Sequence, residues 1–201
     1  MLYIFKHILA SLLLLATART TKSPVLNVLT NAIIETNSSL HQIESAWNIK
    51  RYPNFLQSCH MHKSGWELLK WKFTNRILSG LHKGPQNFSV CFMGSGVTAG
   101  YDSMQLDLFT KVVEDIMIPA FAKLNIKFYA RNVGIASNPS MPYAMCSRSL
   151  CGADADIVLW EYTNDCGYPE CEGIMEQFIR QTLLIPSHPI IALSYSYTPH
   201  W

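Results

Sequence analysis

Three short segments carry the residues whose types and spacing could do chemistry. Asn87-Phe-Ser-Val-Cys-Phe-Met-Gly-Ser-Gly-Val-Thr-Ala-Gly-Tyr-Asp102 runs from an apolar stretch into a turn of small residues and on toward a helix. At the end of a first strand, α/β folds use such a turn to cradle a phosphate or to present a nucleophile. A nucleophile must project from a sharp turn, and glycines on either side permit the backbone that this requires. Ser95 stands between Gly94 and Gly96. The two segments that decide between the options are Arg131-Asn132-Val133-Gly134 and Trp160-Glu161-Tyr162-Thr163-Asn164-Asp165. As a phosphate cradle, Gly94-Ser-Gly96-Val-Thr-Ala-Gly100 fits a loose Gly-x-Gly-x-x-x-Gly dinucleotide loop, with Arg131 placed to meet a 2′-phosphate. That reading leaves Asn132 and Asn164 without a purpose. Glu161 is open to two readings, a catalytic carboxylate or, next to a buried Trp160, a cap on a loop, since a charge beside a core strand needs partners. Cys59-His60-Met61-His62 offers soft ligands that could hold copper, against the alternative of a helix start with a disulfide.

The elements that must position these residues alternate in an α/β pattern. Strands are expected over residues 88–93, 126–130, 156–160 and 189–195. Helices are expected over 104–123, where Phe109, Val112, Val113, Ile116 and Phe121 share a face, and around Ile174, Met175, Phe178, Ile179 and Thr182. Pro119 should kink or end the first of these. Residues 132–152, with Pro139, Pro142 and two cysteines, read as a long loop. Ahead of this pattern, 20–58 reads as a polar leader of loop and short helix. Residues 64–79 carry Trp66, Leu69, Phe73 and Ile77 at helical spacing. Alternating strands and helices imply one parallel sheet in the order 2-1-3-4, with ligands beyond the carboxyl ends of its strands. All three segments fall at those ends.

With order and spacing taken together, the segments resemble blocks I, II and III of the SGNH (GDSL-type) hydrolases, and the stretch from 59 to 195 resembles an uncharacterised algal and protist group within them. Gly94-Ser-Gly-Val-Thr-Ala-Gly100 is similar to block I, Asn132-Val-Gly134 to block II, and Tyr162-Thr-Asn-Asp165 to block III with tyrosine in place of the usual glycine. The resemblance implies a flavodoxin-like three-layer α/β fold, no cofactor, and hydrolysis of esters or carbohydrate esters. It implies that Gly134 and Asn164 supply oxyanion donors, each worth roughly 3 kcal/mol of barrier. It also exposes a departure. Gly96 occupies the position of the family's serine, leaving Ser95 as the neighbouring nucleophile candidate, and the late Asp-x-x-His is absent from the chain. His188 precedes the fourth strand, roughly 20 Å from the site at about 3.3 Å per residue. His200 lies past the correct end but is nearly terminal. A fifth strand and helix are not found, the pattern of a C-terminally truncated product. The expected function is therefore an esterase-family protein, with a non-catalytic glycan- or ester-binding pseudoenzyme as the alternative.

Composition sets the frame. The 201 residues suit one domain, and 49% hydrophobic against 15% charged residues is enough for a core. A net charge of +2 without a basic block speaks against nucleic acid. Residues 1–18 read as a secretory signal peptide, with Lys6 and His7, an apolar run at 8–15 and Ala16-Thr-Ala18 as the cleavage site. The expected organisation is a signal peptide over 1–18, a leader with an amphipathic helix over 19–86 and the α/β domain over 87–201, with no membrane span once the signal is cleaved. Secretion suggests disulfides among the 6 cysteines. Cys146 with Cys151 and Cys166 with Cys171 are close enough to bridge locally, and Cys91 reads as a buried thiol. Asn37-Ser-Ser is the preferred glycosylation sequon over Asn87-Phe-Ser, which abuts a core strand. The expected partner is a small ester or glycan.

Overall fold

A computed structural model of the chain describes residues 24–46, 62–101, 104, 108–136, 139–162 and 171–194. Among the described residues two helices come first, α1 (Pro24–Ala46) and α2 (Lys63–Lys83). Then follow β1 (Gln86–Gly94), a helical turn α3 (Gly96–Ala99), α4 (Phe109–Ala122) and β2 (Ile126–Asn132). The remainder comprises α5 (Ser140–Met145), α6 (Ser147–Cys151), β3 (Ile157–Glu161), α7 (Cys171–Leu183) and β4 (Ile190–Leu193). The strands form one sheet in the order β2-β1-β3-β4, the expected α/β class and order. β1 runs parallel to β3, with Gly94 opposite Glu161, and β3 parallel to β4, with Trp160 opposite Leu193.

Burial explains the order. From Phe88 onward every residue of β1 is buried, and in β3 all but Leu159 are, the signature of strands covered on both faces. In β2 the apolar Ile126 and Phe128 alternate with exposed Lys127 and Tyr129, as suits a strand with one face covered. β4 is short, and its Leu193 is exposed.

The chain divides into two units, residues 1–87 with 115–128, and residues 88–114 with 129–201. In the first, Leu69, Phe73 and Ile77 of α2 are buried, and Phe73 packs its ring 5.3 Å from Phe121, which in turn lies 4.9 Å from Phe128. In the second, Cys91 and Met93 of β1 join Val158 and Trp160 of β3, Ala144 of α5, Cys151 of α6 and Phe178 of α7 in one core cluster. Trp160 stacks on Phe178 with ring centroids 4.4 Å apart.

Several expectations need correction. Over 24–46 the leader is not loop and short helix but one 23-residue helix, α1, and the rest of 20–58 lies outside the described residues. Its buried stripe is Leu29, Ala32, Thr36, Ser39 and Leu40, and the two hydroxyls donate to the carbonyls of Ala32 and Ile116. α4 starts at Phe109, not Met104, with Leu108 accepting from Val112 N–H. Pro119 stands inside that helix, at the start of its last turn. Residues 132–152 hold two short helices, because Pro142 sits in the first turn of α5, where no N–H is needed. Cys91 is not a buried thiol but is bonded to Cys151, and so Cys151 does not pair with Cys146, which is an exposed free thiol. Cys146 and Cys151 lie at opposite ends of the turn forming α6, and five residues at about 1.5 Å rise exceed the roughly 7 Å Cα separation that a disulfide spans. Cys166, the expected partner of Cys171, lies outside the described residues, as do residues 1–18 and His200.

Candidate functional site

β1 ends on a buried glycine, and the chain then makes one helical turn. Ser95 is the residue before α3, and its carbonyl accepts the Ala99 N–H at 2.8 Å. Its side chain does not cap that helix. It is turned inward, 8% exposed, with Oγ donating to Glu161 Oε2 at 3.3 Å. The same carboxylate oxygen accepts the Ser95 N–H at 3.2 Å and the Thr98 hydroxyl at 2.9 Å. Glu161 is itself only 5% exposed, at the end of β3 directly opposite Gly94. Desolvating a carboxylate at the end of an apolar strand is costly without donors, and the turn supplies them.

The approach is so close that β1 must end in glycine. A Cβ on Gly94 would overlap the Thr98 hydroxyl and come within 2.6 Å of Glu161 Oε2. β2 holds the turn from its other side. Asn132 Nδ2 donates to the Thr98 carbonyl at 2.6 Å and lies 3.2 Å from the Thr110 hydroxyl, while Asn132 Oδ1 accepts the Gly134 N–H at 2.9 Å. Gly134 is pressed against the turn, since a Cβ there would stand 2.5 Å from Ala99 N and 2.7 Å from the Thr98 carbonyl carbon. Gly96 is different. It is partly exposed, and a Cβ there would meet only the Cβ of Tyr101, at 3.5 Å.

The structure thus brings Ser95, Gly96 and Gly134 together, with Thr98 fully buried between Glu161 and Asn132. Asn164 lies outside the described residues. The Gly134 N–H is held by its own chain's Asn132, so an oxyanion would have to share or displace that bond. Tyr162, the residue after β3, is fully buried and stacked on Tyr143 with 2° between the ring planes. His188 is exposed ahead of β4, at the amino edge of the parallel sheet, opposite the edge that carries Ser95.

Two residues of this network were not legible as such. Thr98 and Asn132 stood in the motifs, but nothing in their spacing said that both would grip one turn. For Glu161 a signal existed, a lone acid closing an apolar strand, and of its two readings the cap is the geometry found.

Two other sequence signals are absorbed by structure. Arg131, read as suited to a 2′-phosphate, makes a two-pronged pair with Asp154 at 2.6 and 2.7 Å and donates to the Cys151 carbonyl at 2.7 Å. Hydrogen bonding to Asp154 raises its pKa further, so it stays charged. Of Cys59-His60-Met61-His62 only His62 is described. It precedes α2, with Nδ1 2.8 Å from the Ser64 hydroxyl. Among the described residues no group of three or more His, Cys, Asp or Glu stands together that could hold a metal ion, and no helix is long and apolar enough to cross a membrane.

No family model matches the chain, and neither does any curated protein. Two solved structures are similar. One is a two-domain esterase (CEX) active on acetylated mannans, with a TM-score of 0.53 and 18% identity over 63% of this chain and 33% of that one. The other is the two-domain esterase co-crystallised with mannopentaose, with a TM-score of 0.50 and 20% identity over 63% of this chain and 34% of that one. At such identity the likeness is one of fold. The chain spans about a third of the length of the esterases it matches.

Proposed function

We propose that this chain is a secreted protein of the SGNH-hydrolase type that binds a small ester or an acylated glycan and turns it over weakly or not at all. One observation carries the reading: the open position of the turn, 96, holds a glycine, while the adjacent hydroxyl of Ser95 is buried against Glu161. A nucleophile must reach its substrate and have a base beside it. His188, the histidine of the α/β region within the described residues, stands at the wrong sheet edge. The fold shared with an esterase active on acetylated mannans supports acetylated oligosaccharides as the first ligands to try. Secretion is supported by the leader-like residues 1–18 and by the Cys91–Cys151 disulfide.

A second reading rests on a specific contact. Ser95 Oγ already donates to a carboxylate, so Glu161 could act as its base if the turn opened. Assays of p-nitrophenyl acetate and acetylated manno-oligosaccharides with the wild type, Ser95→Ala and Gly96→Ser separate the two. The expected result is a wild-type rate near the buffer rate, unchanged in Ser95→Ala, with manno-oligosaccharide binding visible by calorimetry. Wild-type turnover that Ser95→Ala abolishes would establish the second reading.

A further inference from the structure

The same turn carries an inference that does not depend on what it binds. Glu161 places three donors on one oxygen: the Ser95 N–H, the Ser95 hydroxyl and the Thr98 hydroxyl. These come from the residue before Gly96 and the second residue after it, so the carboxylate grips the turn on both sides of position 96 and leaves that position alone. From the other strand, Asn132 takes the Thr98 carbonyl. Thr98 is therefore held at its hydroxyl from β3 and at its carbonyl from β2.

We propose that Glu161 is a positioning residue, whose buried carboxylate fixes Ser95 inward and Gly96 outward, so that position 96 is the presenting position of the turn whatever residue stands there. The steric pattern agrees. Gly94 and Gly134, where the clamp closes, have no room for a Cβ, whereas Gly96, which the clamp leaves out, does. The energetic logic is that a hydroxyl or amide leaving a buried carboxylate loses a charge-assisted bond without regaining water. Rotating the Ser95 side chain outward would break its hydroxyl bond, and turning its backbone as well would break the N–H bond.

A thiol reports directly on which position is presented. Gly96→Cys and Ser95→Cys are each made in a Cys146→Ser background, alkylated with N-ethylmaleimide under native conditions and read by peptide mass mapping. The thiol at 96 should react on the order of 100-fold faster than the thiol at 95, since a buried group reacts only through local opening. Thr98→Val removes one of the three bonds and should narrow that ratio. Glu161→Ala should bring it to within a few-fold of unity, and Glu161→Gln, which keeps an acceptor oxygen, should restore much of it. A role in stability alone would narrow the ratio no more than does an equally destabilising substitution remote from the turn, such as Leu69→Ala, and that result overturns the proposal. So does a ratio near unity before Glu161 is touched. If Glu161→Ala does not fold, the Thr98→Val ratio decides. The reading as an ester binder stands or falls on the turnover and binding assays, independently of these rates.

Discussion

Gly134 and Gly96 lie at the same turn and answer to different constraints. At 134 an added methyl would press on the backbone of Ala99 and Thr98, which cannot yield without moving the turn. Gly134→Ala is therefore expected to cost about 1–3 kcal/mol, the range for inserting a carbon into packed structure. At 96 the neighbour is a side-chain carbon at ordinary contact distance. Gly96→Ala and Gly96→Ser should change stability by less than about 0.5 kcal/mol, as substitutions away from packed features do. Paired urea titrations of the variants check the contrast. Equal costs at both positions would mean that the turn is not packed as described. The lack of a side chain at 96 is thus no requirement of the fold, whereas at 94 and 134 it is.

Among the elements, β1 and α6 depend on a covalent tie. Cys91 and Cys151 are both fully buried and 60 residues apart in sequence. Closing a loop of that length lowers the entropy of the unfolded chain by an amount worth roughly 4 kcal/mol. Cys91→Ala/Cys151→Ala is expected to lose most of this, read as a lower denaturant midpoint than the oxidised wild type. Native alkylation should label Cys146 and spare both residues of the tie. Labelling of Cys91 or Cys151 in the folded, unreduced protein would contradict the pairing. The adjoining loop is tied a second time by Arg131, through Asp154 and the Cys151 carbonyl. Asn37, the preferred sequon, lies exposed on α1, with the Ser39 hydroxyl already bonded to the Ile116 carbonyl. A glycan at Asn37 would thus have to be attached before α1 packs. Expression through a eukaryotic secretory route should show an endoglycosidase-sensitive mass that Asn37→Gln removes. If Asn87→Gln removes it instead, the preference between the sequons is reversed.

At the scale of the whole molecule, the fold class and the strand order were legible because they rest on long patterns. The apolar runs of β1 and β3 exceed what a half-exposed strand carries, which makes them the central pair of a parallel sheet. β2 betrayed its one covered face by alternation. α1 was hidden because two members of its buried stripe, Thr36 and Ser39, are hydroxyl residues that count as polar in any periodicity. The helices α5 and α6 were hidden because proline reads as a breaker unless its place in the first turn is known. By itself the sequence determined the alternation of elements and the sheet edge at which the turn after β1 and the end of β2 meet, since periodicity and parallel topology are properties of the chain alone. The partner of Cys91, the inward turn of Ser95, the engagement of Arg131 and the grip of Glu161 and Asn132 on Thr98 were decided only by the tertiary structure. Each depends on which residues distant in sequence come within a few ångströms, and local pattern holds no record of that.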